Sequence, residues 1–304
     1  MRTTLELTTR PPFDFAGTAY SHGWVVLAPN DWDEQRQVLR RVERLGTGKV
    51  VSLRVRGPGN ARTAGIAVEV ESPKRLAKKE TEEIARKVGH MFRLDEDLSR
   101  FYRECRRRGG HWNRVTKGLG RLLRSPSVFE DVVKTIATTN VQWGGTKKMI
   151  AGLTAAYGEP MPGDGLRRAF PTPEAIASAK PKGFAASVRM GYRAPYVHAL
   201  ARQVASGALD LESLHDPERP TSELKRRLLS IKGIGNYAAA TLLMLLGRYD
   251  DLPVDTVCRD FVAKKYFGGK PPADAEIQRI YEDWGHWKYL AYWFDVWAGR
   301  NEPL

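Results

Sequence analysis

At 304 residues the chain is long enough for two or three packed units, and 49 Lys+Arg against 35 Asp+Glu give it a formal net charge of +14, a field suited to a polyanionic partner or a charged surface. No apolar run approaches the roughly 20 residues of a membrane-spanning helix, and residues 1–20 lack the continuous apolar core of a signal peptide, so a soluble, intracellular protein with no membrane partner is expected. Cys105 and Cys258 are too few for the four thiolates of an iron–sulfur cluster, and the six histidines form no metal-binding spacing that would suggest zinc.

No internal repeat or low-complexity tract is present. Val51, Leu53 and Val55 alternate with Ser52, Arg54 and Arg56, and after a turn-rich segment at 57–63 Ile66, Val68 and Val70 alternate with Ala67 and Glu69, which predicts an antiparallel hairpin. A helix over about 80–94 follows, with Ile84, Val88, Met91 and Phe92 on one face; beyond it the chain reads as helical to the end. Pro126 and a capping box, Ser127-x-x-Glu130, open a helix in which Val128, Val132, Val133 and Ile136 keep helical spacing as far as Thr139-Asn140.

Met190-Gly191-Tyr192-Arg193-Ala194-Pro195-Tyr196 sets an aromatic and an arginine side by side on a glycine turn. Such a loop is either a surface turn packed by its tyrosine or a device that fills the gap left by an extruded base.

The sharpest segment is 228–255. Gly233 and Gly235 permit backbone angles closed to other residues and a close main-chain approach to a ligand. Ser222 is expected to cap a short helix before them, with Leu224, Leu228 and Leu229 on one face; Asn236 is expected to cap an Ala/Leu-rich helix running to about Gly247. Helix amides and the positive dipole end at Asn236, with Lys232 beside them, suit a phosphate. An ordinary helix turn would look similar; a dinucleotide-binding fingerprint would need a third glycine and a preceding buried strand, both missing. After Leu252-Pro253-Val254, Asp255 precedes a helix expected over roughly 256–267. Helix capping is its plain role, and the two roles are compatible: a carboxylate at a helix N-terminus is favoured in the charged form that stabilises a cationic sugar or activates water. Residues 281–297 hold Tyr281, Trp284, Trp287, Tyr289, Tyr292, Trp293, Phe294 and Trp297, mostly core by their helical spacing, although a base pocket also needs such faces.

Leu-x-x-Ile-x-Gly-Ile-Gly, followed after about twenty residues by Pro-Val-Asp, resembles the helix-hairpin-helix/Gly-Pro-Asp (HhH-GPD) superfamily of base-excision DNA glycosylases. The resemblance extends to the N-terminal strands and the Leu94–Tyr102 junction, and implies an α+β protein: an N-terminal antiparallel sheet plus helix domain (1–95), then a two-lobed, mostly helical core. Its lobes would comprise 96–125 with 256–304, and 126–255 with the helix-hairpin-helix at 222–247. In that frame Asp255 is the catalytic carboxylate. Tyr237 occupies the place of the Lys nucleophile of backbone-cleaving members, and an aromatic there resembles the monofunctional AlkA-type 3-methyladenine glycosylases. Lys232, Gly233, Gly235 and Asn236 would hold a DNA phosphate.

The Gly-Tyr-Arg-Ala loop resembles the wedge of 8-oxoguanine glycosylases, in which Tyr192 would intercalate and Arg193 would touch the estranged base. Asn140, with Gln142 nearby, would face that base as well, while one further family arginine is missing, its place falling near Gly145. Trp293 matches the base-stacking aromatic, and Tyr289 replaces the glutamine that reads 8-oxoguanine. The resemblance therefore implies a monomeric, cytoplasmic or nuclear enzyme acting on double-stranded DNA that contains a damaged base, with an AlkA-like pocket of Tyr237, Tyr289 and Trp293 for electron-poor alkylated purines. No cofactor is implied and no side-chain metal site, although the family hairpin can hold a monovalent cation through backbone carbonyls. An 8-oxoguanine glycosylase is the alternative reading; a non-catalytic helix-hairpin-helix DNA-binding protein is a second.

Overall fold

The computed structural model describes residues 1–57, 65–252 and 254–299, so most of the expected 57–63 turn and Pro253 lie outside the described residues. In chain order, β1 (Arg2–Thr8), α1 (Phe15–Tyr20), β2 (Asn30–Asp33), β3 (Val38–Arg44), β4 (Val50–Arg56) and β5 (Gly65–Glu71) precede α2 (Lys78–Met91). Helices α3 (Ser99–Arg108), α4 (Trp112–Val115), α5 (Val128–Thr138) and α6 (Trp143–Tyr157) follow, then the short strands β6 (Pro160–Met161) and β7 (Asp164–Arg168). Helices α7 (Pro173–Ala177), α8 (Pro181–Val188), α9 (Ala194–Ala205), α10 (Thr221–Leu229), α11 (Asn236–Leu245), α12 (Thr256–Tyr266), α13 (Asp274–Ile280) and α14 (Lys288–Gly299) complete the chain. An N-terminal antiparallel sheet followed by a mostly helical core is therefore observed, with one correction: residues 160–168 form a two-stranded hairpin rather than helix, because Pro160, Pro162 and Gly163 (φ 82°) break the helix and make a turn.

Two units can be distinguished among the described residues, 1–97 with 117–212, and 98–116 with 213–299. The lobes expected from the sequence differ: α10 and α11 share a unit with α12–α14 and with α3 and α4. Residues 238–245 of α11 are all buried, and the segment after it is tied to the C-terminal part by Tyr289 N–H donating to the Tyr249 carbonyl (2.8 Å) and Gln278 Nε2 to that of Leu252 (3.1 Å).

In the first unit the five strands run β1-β5-β4-β3-β2, all antiparallel, with Leu53 opposite Val70 and Val55 opposite Val68. The predicted hairpin is thus β4–β5. Ile84, Val88, Met91 and Phe92 are buried, as the helical spacing of α2 requires. A buried ionic network ties β3 to α5. Arg41 donates to Glu43 (2.7 Å), to Asn30 (3.0 Å) and through both terminal nitrogens to Glu130 (3.0 and 2.6 Å), while the fully buried Lys134 reaches Glu130 at 2.7 Å. The expected capping box is therefore only half made: Ser127 Oγ accepts from the Glu130 amide at 3.3 Å, but the Glu130 carboxylate turns inward to Arg41.

Burial alone would raise the Glu130 carboxyl, but the charges of Arg41 and Lys134 bring it down to about 2. Glu130→Ala leaves Arg41 and Lys134 short of a counter-charge, and a loss of about 3–5 kcal/mol in urea unfolding is expected. Burial, helped by the nearby charges of Arg93 and Lys134, pushes the His22 imidazole down to about 4. The unfolded chain takes up this proton near pH 6.5, so stability present above that value is lost as the pH falls from about 6.5 to 4. His22→Gln, which does not ionise, should flatten the urea midpoint over this window; an equally steep fall in the variant would contradict the assignment.

Candidate active site

Helix α10 begins after Pro220 with no side-chain cap, so Ser222 lies inside the helix rather than before it. Leu224 and Leu228 are buried, whereas Leu229 is 40% exposed and turns off the expected face. Lys225 and Thr221 anchor the helix to Asp251 (2.8 Å) and Asp250 (3.0 Å). The chain then reverses through Ile231, Lys232, Gly233 and Ile234, with the Ile234 amide donating to the Ile231 carbonyl at 3.0 Å and both isoleucines buried below the turn. Gly233 takes φ 96°, which needs glycine. Gly235 does not: at φ −98° it is the N-cap of α11. A Cβ built at Gly235 meets nothing within 4 Å, so the protein's own packing does not require glycine there, whereas close approach of a ligand would.

Asn236 is the first residue of α11 and makes no capping bond, contrary to expectation. The leading amides of α11 therefore have neither an intrahelical acceptor nor a capping side chain, and the exposed Asn236, Gly235 and Lys232 surround them. Tyr237, on the first turn, is 46% exposed.

Asp255 caps α12 as the sequence predicts. Its Oδ1 accepts from the Cys258 amide at 2.7 Å, and its backbone is extended (φ −103°, ψ −178°). Its Oδ2 makes no hydrogen bond to a described residue. The surroundings are phenolic: burial, and then the negative charge of Asp255, lift the hydroxyl of Tyr237 above its ordinary value, and burial first, with Tyr237 and Asp255 adding, does the same at Tyr289. The buried Cys258 thiol is pushed up to about 12 by burial and by Asp255, and Tyr292 hydrogen-bonds it. Tyr289, 4% exposed, stacks on the half-buried Trp293 with ring centroids 6.4 Å apart and planes 15° from parallel. Trp293 and Tyr237 are thus the more accessible rings, and Tyr289 backs Trp293.

The other end of α12 is fixed by Asp295, which is 1% exposed. Its carboxylate accepts from Lys265 Nζ (2.5 Å), Tyr266 OH (2.5 Å) and Tyr281 OH (2.9 Å), with His111 Nε2 at 3.5 Å. From the sequence Asp295 has no role, and Cys258 and Tyr292 are only a thiol and a core aromatic; their contacts exist only once α12 and α14 pack together.

In the first unit, Asn140, Tyr192 and Arg193 form a second cluster. Tyr192 is 52% exposed on a 3-10 turn that starts at Gly191 (φ 56°). Arg193 is buried: its guanidinium lies 4.3 Å over the Tyr192 ring and donates to the Thr139 hydroxyl (3.3 Å) and carbonyl. Asn140, at φ 46°, donates from Nδ2 to Tyr192 OH at 3.4 Å. The hydroxyl of Thr139, followed by Asn140 and Arg193, holds the Tyr192 phenol below its ordinary value. The arginine therefore braces the exposed tyrosine, with Thr139 an unforeseen partner. Gln142 is exposed at the N-cap of α6 and makes no capping bond. At Gly145 an added Cβ would meet Val141 Cγ2 at 2.5 Å, so an arginine there would require that side chain to move.

A sequence model of the family described as HhH-GPD superfamily base excision DNA repair protein matches residues 133–289, just over half of the chain. The chain belongs to that superfamily. The match runs from α5 through the hairpin and Asp255 to Tyr289. The chain is 26% identical over 218 residues to the DNA-3-methyladenine glycosylase of Bacillus subtilis (strain 168), covering 70% of this chain and 71% of that protein. In fold it resembles the 3-methyladenine DNA-glycosylase of Archaeoglobus fulgidus, with a TM-score of 0.73, 22% identity, and coverage of 97% of this chain and 98% of that one. It is equally similar to the apo-form 8-oxoguanine glycosylase/lyase of Clostridium acetobutylicum, with a TM-score of 0.72, 18% identity and coverage of 97% and 95%. Among the described residues no helix is long and apolar enough to cross a membrane.

Because Asp255 is a cap first, Asp255→Ala should cost about 1 kcal/mol of stability, whereas Asp255→Asn, which keeps an acceptor at the same place, should stay within about 0.5 kcal/mol of the parent. Urea unfolding of the two variants checks this, and equal losses would mean that the Cys258 bond is not what holds the loop.

Proposed function

We propose that this member of the superfamily is a monofunctional DNA glycosylase that excises alkylated purines, with Asp255 as its catalytic carboxylate. The observation that carries the reading is Asp255 itself: one oxygen is held by the Cys258 amide at the start of α12, the other is unengaged by described residues, and the Tyr237, Tyr289 and Trp293 rings stand in the same unit. Phosphate is held by the leading amides of α11 around Gly233, Gly235 and Asn236, with Lys232 alongside. Tyr192, braced by Arg193, enters the stack, and the damaged nucleotide turns out of the duplex.

The base then stacks against Trp293 and Tyr237, whose electron-rich faces favour a cationic purine. The C1′–N glycosidic bond breaks and its electron pair leaves with the base. Asp255 stabilises the positive charge that develops on the sugar and directs water to C1′; as the C1′–O bond forms, the water gives its proton to the Asp255 carboxylate, which passes it to solvent. A base already carrying positive charge leaves without a strong general acid, and no cofactor is called for. Tyr237, which has no amine, stands where a backbone-cleaving enzyme needs a lysine, and this supports simple hydrolysis.

The Asn140–Tyr192–Arg193 cluster favours an 8-oxoguanine glycosylase as the second reading; Tyr237 and the buried Tyr289 weigh against it. A non-catalytic phosphate clamp leaves the unengaged oxygen of Asp255 without a role.

Asp255→Asn should bind a lesion duplex with unchanged affinity and release the base at least about 100-fold more slowly in single-turnover assays, the scale expected when preorganised charge stabilisation is removed. Release at the parent rate would refute the proposed role.

A further inference from the structure

Helix α3 carries Arg100, Arg103, Arg106 and Arg107 exposed along one arc, opposite its buried Phe101, Tyr102 and Cys105. At 100° per residue these four arginines span roughly 120° of the helix, and along its axis roughly 10 Å. From residue 99 to 117 the chain holds seven Arg or Lys and one acid, Glu104. Glu104 is taken by Arg107 at 3.0 Å, Arg108 lies 4.2 Å over the Trp284 ring, and Arg114 lies 4.6 Å over that of Trp297. Arg100, Arg103 and Arg106 meet no acidic side chain among the described residues. Like charges three and four residues apart weaken a helix, so neutralisation by acids would have favoured folding, and it is not made here.

The direction of this arc matters. The buried side of α3 packs on the C-terminal aromatics, with Phe101 5.4 Å from Trp287, 5.8 Å from Trp284 and 6.3 Å from Phe294. On α14, Phe294 lies roughly 100–140° around the helix from Trp293 and Tyr289. The arginine arc therefore points away from the C-terminal aromatics, and the face of α14 that meets α3 through Phe294 is not the face that carries the Tyr289–Trp293 stack.

We infer that the arginine face of α3 binds the phosphate backbone of a second segment of double-stranded DNA. The inference rests on the reading of the chain as a DNA-acting enzyme. Guanidinium forks suit phosphate oxygens, and a duplex offers one charge per about 1.7 Å of axis to match them. The arc has no large apolar residue, which a membrane-interfacial helix would use for insertion and a protein interface for its buried centre. A second contact of this kind lets the enzyme pass directly from one duplex to another while searching for lesions.

The test compares Arg100→Gln/Arg103→Gln/Arg106→Gln with a control of equal charge change on the first unit, Lys74→Gln/Arg75→Gln/Lys79→Gln, each in the Asp255→Asn background and already saturated with an unlabelled lesion duplex, for binding of a labelled short undamaged duplex. The slope of log affinity against log salt should fall by about 2.7 in the α3 variant, about 0.9 for each lost phosphate contact, and by less than 1 in the control. Transfer from a labelled duplex should accelerate with the concentration of competitor duplex in the parent protein and lose this dependence in the α3 variant. With Asp255 retained, single-turnover release from a lesion duplex at saturating enzyme should be unchanged. An unchanged slope, equal effects in the two variants, or competitor-independent transfer by the parent overturns the inference. Displacement of the DNA by duplex RNA at lower concentration would reassign the face and overturn it equally. Lack of base release by the parent would instead sink the glycosylase reading and leave the slope comparison standing.

Discussion

The geometry of the second unit depends on one buried carboxylate. Asp295 receives donors from α12, from Tyr281 at the end of α13 and from the turn before α4, and it sits on α14 itself. With 1% of its surface exposed, it would be expensive to bury unless several groups satisfied it, and they do. Helix α12 is thereby pinned at its C-terminal end to the helix that carries Tyr289 and Trp293. Asp255 lies at the opposite end, roughly 16 Å away along a straight rod of eleven residues. The carboxylate proposed to act on the sugar and the rings proposed to hold the base thus share one rigid frame, and the Cys258 amide sets the last torsion of that carboxylate.

A comparable device holds the first unit. Arg41 on β3 and Glu130 on α5 are both almost wholly buried and join in a forked pair, with Glu43 and Lys134 completing the charge balance. This places the sheet against the helix that leads into Thr139 and Asn140. Those two residues meet Tyr192 and Arg193, so the exposed tyrosine is braced through a chain of contacts that begins in the N-terminal sheet. Each unit carries a different part of the proposed chemistry: a braced aromatic in one, phosphate-binding amides and a carboxylate in the other.

What the sequence made legible was local. The alternation in β4 and β5, the apolar stripe of α2, the glycine turn and the cap at Asp255 all follow from neighbours within a few residues, and the structure keeps them. Strand β3 was not legible because it reads Val-Leu-Arg-Arg-Val-Glu-Arg; Arg41 and Glu43 look like solvent residues until Glu130 and Lys87 are found opposite them. Strand β2, Asn-Asp-Trp-Asp, is a four-residue polar edge with no pattern to see. Ser222 and Asn236 fit the chemistry of caps, yet each helix starts early enough to place them inside it, after Pro220 and Gly235. The division into units escaped because α11, apolar on every side, can be assigned to either lobe until its packing is known. Of the candidate site residues, Asp255, Tyr237, Tyr289 and Trp293 are gathered in one unit, and Asn140, Tyr192 and Arg193 in the other. The roles of Cys258, Tyr292, Thr139 and Asp295 emerged only from tertiary contacts.

The most direct test of the central claim is single-turnover base release by the parent protein from duplexes carrying a methylated purine, 8-oxoguanine, hypoxanthine or uracil, each read with and without alkali. The account predicts strand breaks at the methylated purine that appear only after alkali, marking an abasic site left by hydrolysis with the backbone intact. Alkali-independent cleavage at 8-oxoguanine would contradict it, since an amine nucleophile would then have to stand where Tyr237 does not supply one.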